Sequence, residues 1–187
     1  MIYKNNVSWA NLSAGISFYE KTFKYLEVPW LVPSEIMKIT FDGNYRFKTE
    51  LGDLIASGEQ SFLHLQLNGN LPSGRYMTLT PCFRDEEETE FNFKQFMKLE
   101  LYITDDVSLE NLHSTIQLCR TFLKNIISIR SKKPIKVSIK EIQDGSFDLE
   151  CLSIELGSYG IREYNGHKWI YGTGIAEPRV SQVVTLA

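Results

Sequence analysis

The segment 75–103, RYMTLTPCFRDEEETEFNFKQFMKLELYI, constrains the fold of this chain more than any other. Apolar and polar residues alternate over 76–83 and again over 93–102, and this two-residue period is typical of a β-strand with one buried face. Between the two runs lie turn-tolerant polar residues, most of them acidic. The segment therefore predicts two β-strands joined by a short acidic loop.

The two predicted strands carry charged and aromatic side chains on shared faces. Arg84 and Glu86 are two positions apart, and Phe96, Lys98 and Glu100 follow the same spacing. A guanidinium can hold a phosphate, a carboxylate can accept from an exocyclic amine, and a ring can stack on a base. The same spacing is also expected for solvated charge pairs on an open sheet face. Both interpretations stay open on spacing alone.

Composition indicates one compact domain spanning 1–187, since 43% of the 187 residues are hydrophobic. The net charge of −3 provides no basic field of the kind that holds nucleic acid. The first ten residues contain no leader pattern, and no apolar run approaches the ~20 residues of a membrane span. We expect a cytoplasmic protein without membrane association, whose three cysteines, Cys82, Cys119 and Cys151, are buried reduced thiols.

Hydrophobic periodicity and turn residues predict the remaining elements. Helices are expected over 11–26, over 35–38 with Ser34 as the cap, from a cap at Ser108 to 129, and at the last few residues; strands are expected over 45–51, 61–67, 135–142, 147–155 and 168–171. Turns are expected at Asp144-Gly145 and Asn165-Gly166. Strands joined by hairpins predict an α+β fold with an antiparallel sheet.

Three segments resemble, in order, the three signature motifs of class II aminoacyl-tRNA synthetases. A helix followed by VPW at 28–30 resembles motif 1, which in that family builds the dimer interface. TPCFRDE at 80–86 with KQFMKLE at 94–100 resembles motif 2, and GTGIAEPR at 172–179 resembles motif 3. The run before motif 2 and SFDLE at 146–150 are most similar to seryl-type members. The resemblance implies a class II synthetase-like antiparallel sheet flanked by helices. Unlike full-length members of that family, the chain is expected to have no anticodon-binding or tRNA-arm domain.

The resemblance also implies roles for residues that would bind ATP. Arg84 would hold the α-phosphate and the substrate carboxylate, and Glu86 would accept from the adenine amine. Phe96 would stack on one face of adenine. Arg179 would pack on the other face and reach the γ-phosphate. Arg84 and Arg179 would thus be the catalytic side chains, because they stabilise charge on the phosphates.

Further roles follow from the same resemblance. Gly172 and Gly174 would let the backbone approach the nucleotide. Glu155, helped by Ser158, would coordinate Mg²⁺.

Two residues would contact the amino acid, and two positions depart from the family pattern. Glu100 would line the amino-acid pocket, and Gln66 would replace the acidic residue that grips the amino group. Asn92 stands where the family usually has an arginine or histidine for the γ-phosphate, a role that Lys94 could take. The acidic loop 86–90 would repel a tRNA backbone.

These features lead to two main hypotheses. The first is ATP-dependent activation of an amino acid, or a similar carboxylate, to an aminoacyl-adenylate, with transfer to an acceptor other than tRNA: a carrier protein, a peptide or a small amine. No protein nucleophile is needed, since the substrate carboxylate attacks the α-phosphorus itself. The second is a non-catalytic paralogue that binds an amino acid, a nucleotide or a partner protein. Motif 1 predicts a homodimer, and a tRNA-directed domain beside a partner subunit is a third hypothesis that the acidic loop opposes.

Overall fold

The computed structural model describes residues 6–41, 45–90, 92–142 and 144–187. Within these ranges five helices and ten strands form. The helices are α1 (Asn6–Tyr19), α2 (Ser34–Thr40), α3 (Gly58–Leu67), α4 (Leu109–Ser131) and α5 (Arg179–Leu186). The strands are β1 (Lys24–Tyr25), β2 (Leu31–Val32), β3 (Lys48–Thr49), β4 (Gly52–Leu54), β5 (Arg75–Phe83), β6 (Gln95–Ile103), β7 (Ser138–Glu141), β8 (Phe147–Cys151), β9 (Ile154–Tyr164) and β10 (His167–Glu177).

Seven strands form the main sheet, in the order β1-β5-β6-β10-β9-β8-β7. The short edge strand β1 is parallel to β5, and every other pair in this sheet is antiparallel. The strands β2, β4 and β3 form a separate small sheet. The predicted α+β fold with an antiparallel sheet is therefore confirmed.

Strands β5 and β6 confirm the expectation from the alternating segment 75–103. Their register pairs Cys82 with Phe96, Thr80 with Lys98 and Thr78 with Glu100. An antiparallel pair places the side chains of directly opposite residues on the same face. Phe96, Lys98 and Glu100 therefore share one face of the sheet, as their spacing predicts.

The two faces of the main sheet pack against different helices. On one face, alternate residues of β6 such as Leu99 and Leu101 join a large apolar core with α1, α4 and α5. On the other face, Tyr102 of β6 stacks between Phe62 of α3 and Trp169 of β10, with centroid distances of 5.1 and 5.9 Å. The face covered by α3 also carries Phe96, Lys98 and Glu100.

Helix α3 corrects the strand predicted over 61–67. Leucines at alternate positions in SFLHLQL imitate strand periodicity, but the local start signal is helical. The Ser57 hydroxyl caps the amino end, and the Gln60 side chain accepts from the Ser57 backbone N–H at 2.6 Å in a capping box. This signal and the apolar cluster around Phe62 outweigh the alternation.

Other predicted boundaries differ as well. Helix α1 ends at Tyr19, not at residue 26, because Lys24 and Tyr25 pair with β5. Ser34 is the first residue of α2 and not its cap, and its hydroxyl donates to Asp53 at 2.8 Å. The strand expected over 45–51 is reduced to β3.

The carboxyl-terminal half contains a long hairpin that the sequence revealed only in part. The turn at Asn165-Gly166 is confirmed, and both residues have positive φ, 50° and 76°. The predicted strand 168–171 is the centre of β10, whereas the partner strand β9 was not predicted as a separate element. Helix α4, capped by Ser108, is confirmed, as is the short terminal helix α5.

The three cysteines are buried and unpaired, as expected. In the part of the chain that the structure describes, every helix is too short or too polar to cross a membrane.

Candidate active site

A cleft opens on the α3 side of the main sheet, beside β5, β6, β9 and β10. It brings together six of the ten predicted site residues: Arg84, Glu86, Phe96, Glu155, Ser158 and Arg179. These residues come from separate segments of the chain. Antiparallel pairing of β6 with β10, and of β10 with β9, places them side by side.

Arg84, just after β5, occupies one wall of the cleft. Its guanidinium carbon lies 5.1 Å from the centre of the Phe96 ring and 5.3 Å from that of Phe41. Such cation–π contacts fix the plane of the guanidinium. Its buried Nε has no hydrogen-bond partner among the described residues. A buried donor of this kind is satisfied when an anionic ligand enters, so Arg84 is suited to a phosphate or carboxylate.

Arg179 and Glu155 face Arg84 from the opposite rim. The Arg179 Nη1 donates to the Glu155 carboxylate and to its backbone carbonyl, both at 3.2 Å. The two side chains are 23% and 46% exposed, and exposed pairs of this kind contribute little to stability. Arg179 can therefore exchange this contact for a ligand phosphate at small cost.

Carboxylates on β8 and β9 make the Glu155 rim acidic. Asp148 pairs in register with Ser158, and partial burial and the nearby Glu155 raise the pKa of Asp148. Across the described ranges no group of three or more His, Cys, Asp or Glu side chains is arranged to hold a metal ion. A cation at this rim would depend on Glu155 together with oxygens of the ligand, which is how Mg²⁺ commonly binds beside phosphates.

Behind the cleft wall lies a buried polar group centred on Glu100. Lys98, which lines the cleft, places its Nζ 2.7 Å from Glu100 Oε2, and the Ser57 hydroxyl also donates to Oε2. Glu100 is fully buried. Its second oxygen, Oε1, and the buried Thr80 Oγ1 have no hydrogen-bond partner within the described chain. Buried polar atoms are nearly always paired, so a donor that reached these two atoms would satisfy them.

A second buried ion pair lies nearby and was missed by sequence reasoning. Glu59 of α3 accepts from Arg162 of β9 and from the Trp169 indole N–H at 2.8 Å. The Arg162 guanidinium stacks on the Tyr171 ring at 4.2 Å. Burial raises the pKa of Glu59 although Arg162 opposes this shift. Only the capping pattern at Ser57 could have revealed that Glu59 begins a helix under the sheet.

Gln66 lies elsewhere. Its Oε1 accepts from the Tyr102 hydroxyl at 2.6 Å, within the aromatic cluster of α3. The predicted contact of Gln66 with an amino group stays a prediction.

The two motif 3 glycines face away from the cleft. A Cβ on Gly172 would lie 2.8 Å from the Tyr159 ring, and a Cβ on Gly174 would lie 3.0 Å from the Tyr19 ring. Thr173 between them lines the cleft. Because these two residues have no side chain, Tyr159 and Tyr19 can pack closely on the face covered by α1 and α4. The role of the two glycines toward a nucleotide stays a prediction.

The departures in motif 2 have clear positions. Asn92 lines the cleft, whereas Lys94 is exposed and its Nζ pairs with Asp85 at 3.0 Å. Lys94 therefore has a partner outside the cleft. The end of the acidic loop contacts α5, because the Gln182 amide donates to the Glu90 carbonyl at 2.6 Å.

Comparisons with known proteins identify the fold. No protein-family model matches the chain, and no curated protein matches it. Solved structures do: pyrrolysyl-tRNA synthetase from Desulfitobacterium hafniense has a TM-score of 0.70 at 13% identity, and covers 95% of this chain and 68% of its own.

Two further structures agree with the first. Cytoplasmic serine-tRNA ligase from Naegleria fowleri, in complex with AMP, has a TM-score of 0.70 at 20% identity over 96% of this chain and 54% of its own. Prolyl-tRNA synthetase from Cryptosporidium parvum, complexed with halofuginone and AMPPNP, has a TM-score of 0.69 at 10% identity over 96% and 46%. The chain therefore has the fold of class II aminoacyl-tRNA synthetase catalytic domains, as the motif resemblance predicted.

Proposed function

We propose that this protein uses ATP to activate an amino acid as an aminoacyl-adenylate and transfers it to an acceptor other than tRNA. The observation that carries the proposal is the convergence of Arg84, Glu86, Phe96, Glu155 and Arg179 on one cleft of a synthetase fold. These residues come from three separate segments of the chain, and a surface with no ligand has no physical reason to assemble them.

The nucleotide would lie along the cleft from Phe96 to Arg179. Phe96 offers a ring for the base, Glu86 an acceptor for the adenine amine, and Arg84 a guanidinium for the α-phosphate. Arg179 would leave Glu155 and contact the base and the terminal phosphate. Two structurally similar synthetases were solved in complex with AMP and with AMPPNP, which supports a nucleotide as the ligand.

Magnesium fits the same rim, since one or two carboxylates with phosphate oxygens suffice for this ion. Glu155 would hold it, with help from Ser158. When bound, Mg²⁺ supplies charge neutralisation on the phosphates.

An amino acid, in preference to a carboxylate without an amine, is supported by the atoms behind the cleft wall. The free Oε1 of buried Glu100 and the free Oγ1 of Thr80 can both accept from an ammonium group. Satisfying a buried carboxylate oxygen with a charged donor is worth about 1.5–3 kcal/mol. A fatty or keto acid would leave both atoms unpaired.

The reaction then needs only alignment and charge stabilisation. A substrate carboxylate oxygen attacks the α-phosphorus, the new oxygen–phosphorus bond forms, and the bond to the β-phosphate oxygen breaks to release pyrophosphate. Arg84 would stabilise the charge that develops on the α-phosphate, and Arg179 the charge that develops on the leaving group.

The acceptor would be a carrier protein, a peptide or a small amine. The loop 85–90 holds five carboxylates in six residues, and it borders the cleft through Glu86. Such a loop repels a phosphate backbone.

A second candidate function is nucleotide or amino-acid binding without catalysis. It is favoured by Asn92 in the cleft and by the pairing of Lys94 with Asp85, because these leave Arg179 as the main cation for the terminal phosphates.

We further propose a homodimer formed through the β1 edge of the main sheet. Tyr25 of β1 and Trp30 line one shared depression and are 40% and 53% exposed, and the next residue, Leu31 of β2, is 36% exposed. The outer edge of β1 is unpaired among the described strands. An open edge beside exposed aromatic residues is typical of a surface that a second chain covers.

Amino-acid-dependent ATP–pyrophosphate exchange tests the proposed activity across the standard amino acids. The test variant is Arg84→Ala, for which exchange should fall about 10²–10³-fold. The matched control is Arg75→Ala, at the other end of β5 and paired with Asp105. Exchange with one amino acid that Arg84→Ala abolishes and Arg75→Ala retains would support adenylation. ATP binding without exchange for any amino acid would favour the second candidate function, binding without catalysis.

A further inference from the structure

Helix α1 lies on the face of the sheet opposite the cleft and runs along the end of β10 that leads to Arg179. Asn11, Gly15 and Tyr19 are four residues apart and so share one side of the helix. Each contacts β10. The Asn11 amide donates to Glu177 Oε1 at 2.8 Å, and the Tyr19 hydroxyl donates to the Gly174 carbonyl at 3.0 Å.

Gly15 sets how closely helix and strand approach. A Cβ on Gly15 would lie 3.0 Å from Cγ2 of Ile175 and 3.3 Å from Leu99, which is tighter than ordinary contact. A larger residue would push α1 off the strand, and the two hydrogen bonds on either side would lengthen.

The part of β10 held by α1 is a β-bulge. Its register against β6 shifts between Thr173 and Ile175, and a bulge disturbs the ladder and turns the strand. Tyr19 donates to the Gly174 carbonyl, and the Tyr159 hydroxyl donates to the Thr173 carbonyl at 2.5 Å. Two buried tyrosines therefore stabilise the irregularity that directs the following residues toward the cleft.

Glu177 is the junction between this strand and the cleft arginine. It is 1% exposed, accepts from Asn11, from the Ser181 backbone N–H at 3.1 Å and from the Ser8 hydroxyl at 3.4 Å, and precedes Arg179 by two residues. Helices α1 and α5 thus hold one carboxylate between them.

Asn11 is itself oriented by α4. The Arg130 Nε donates to Asn11 Oδ1 at 3.2 Å, so the amide nitrogen is the atom that faces Glu177. The chain of contacts Arg130–Asn11–Glu177 is buried at its centre, where Asn11 has no exposed surface. These hydrogen bonds hold the side chains of Arg130, Asn11 and Glu177 each in one orientation.

We infer that Asn11 is a positioning residue: it fixes Glu177, and through Glu177 the start of α5, so that Arg179 reaches the cleft. The inference rests on the proposed function only in taking Arg179 as a contact of the nucleotide. Asn11 does not line the cleft, whereas Glu177 does, so Asn11 acts through Glu177 and the backbone that joins Glu177 to Arg179.

An exchange of the two side chains tests this inference. In Asn11→Asp, two carboxylates face each other, and in Glu177→Gln, two amide groups do. The double variant reverses the bond, because the amide introduced on β10 would donate to the carboxylate introduced on α1. That carboxylate still accepts from Arg130, and the oxygen of the introduced amide still accepts from the Ser181 backbone N–H. Asn125→Asp, the same change at an exposed position of α4, is the matched control.

Two measurements are made on the four variants and the unaltered chain: the dissociation constant for ATP by calorimetry, and amide hydrogen exchange of residues 174–186 without ligand. Each single variant should weaken ATP binding on the order of tenfold and speed exchange in this segment. The double variant should recover most of both, and Asn125→Asp should match the unaltered chain.

The outcomes separate this inference from the proposed function. A double variant no better than the single ones, or single variants with unchanged exchange and ATP binding, would overturn the positioning role. If the unaltered chain binds no ATP, the proposed nucleotide site fails. The exchange data alone then decide whether Asn11 fixes the segment.

Discussion

The two faces of strands β5, β6 and β10 differ in how completely their polar groups are paired. On the face covered by α1 and α4, the side chains are apolar or, like the Tyr19 and Tyr159 hydroxyls, hydrogen-bonded. On the cleft face, Thr80 Oγ1, Arg84 Nε and Glu100 Oε1 are buried with no partner in the described residues. Among the described residues, the same three strands thus have fully paired polar groups on one face and unpaired ones on the other, as expected if the cleft face binds a ligand.

The largest effect on stability is expected for Lys98→Met on the cleft face. It leaves the fully buried Glu100 without its charged partner, and breaking such a pair costs about 4 kcal/mol in the free energy of unfolding. Urea unfolding measures the loss. The double variant Lys98→Met, Glu100→Leu removes both charges and should recover most of the stability. If the double variant is as unstable as the single one, the pair matters for packing and not for charge.

Leu99→Ala tests the opposite face one residue away. Leu99 is fully buried against Gly15 and Gly174, so the cavity should cost about 3 kcal/mol. Because its side chain does not reach the cleft, ligand affinity measured well below the melting temperature should stay within about twofold. A tenfold loss of affinity at unchanged stability would show that the two faces are not independent.

The regular strands and helices could be predicted from the sequence, whereas contacts between residues far apart in the chain could not. Strands β5 and β6 and helix α4 were predictable because each has a regular apolar period, and motif resemblance placed Arg84, Phe96 and Arg179 in one site. The pair of Glu59 and Arg162 was not, since it joins residues far apart in sequence and α3 carries leucines at alternate positions. Gly172 and Gly174 were predicted to face a nucleotide, but only the packing of Tyr159 and Tyr19 reveals which side their missing side chains serve.

The exposed β1 edge offers a third test, outside both faces. Trp30→Glu places a charge in the proposed dimer contact, and loss of a central aromatic residue typically costs about 2 kcal/mol or more in association. Sedimentation equilibrium should show a dimer for the unaltered chain and a monomer for the variant. Tyr164→Glu, at the end of β9 and 38% exposed, is the control aromatic substitution, because it lies away from both the β1 edge and α1. A monomer for the unaltered chain at all concentrations would refute the dimer.

The smallest expected effect concerns pH and the buried Glu59 behind the cleft. Burial raises the pKa of Glu59, so in the unfolded chain this group loses its proton at lower pH than in the folded one. Between those two pKa values the folded state binds more protons, and the free energy of unfolding falls as pH rises, by at most about 1.4 kcal/mol per pH unit for one group.

Urea unfolding between pH 5 and 8 measures that slope, to which Glu177 and Asp148 contribute in the same direction because burial raises the pKa of both. Glu59→Gln should make the slope shallower, whereas Glu163→Gln, at an exposed position of β9, should leave it unchanged. An unchanged slope in Glu59→Gln would mean that Arg162 and Trp169 compensate the burial of Glu59 fully. Glu59 would then be as completely satisfied as the polar groups on the face covered by α1 and α4, and Glu100 and Thr80 would remain the buried residues of the described chain with unpaired side-chain oxygens behind the cleft.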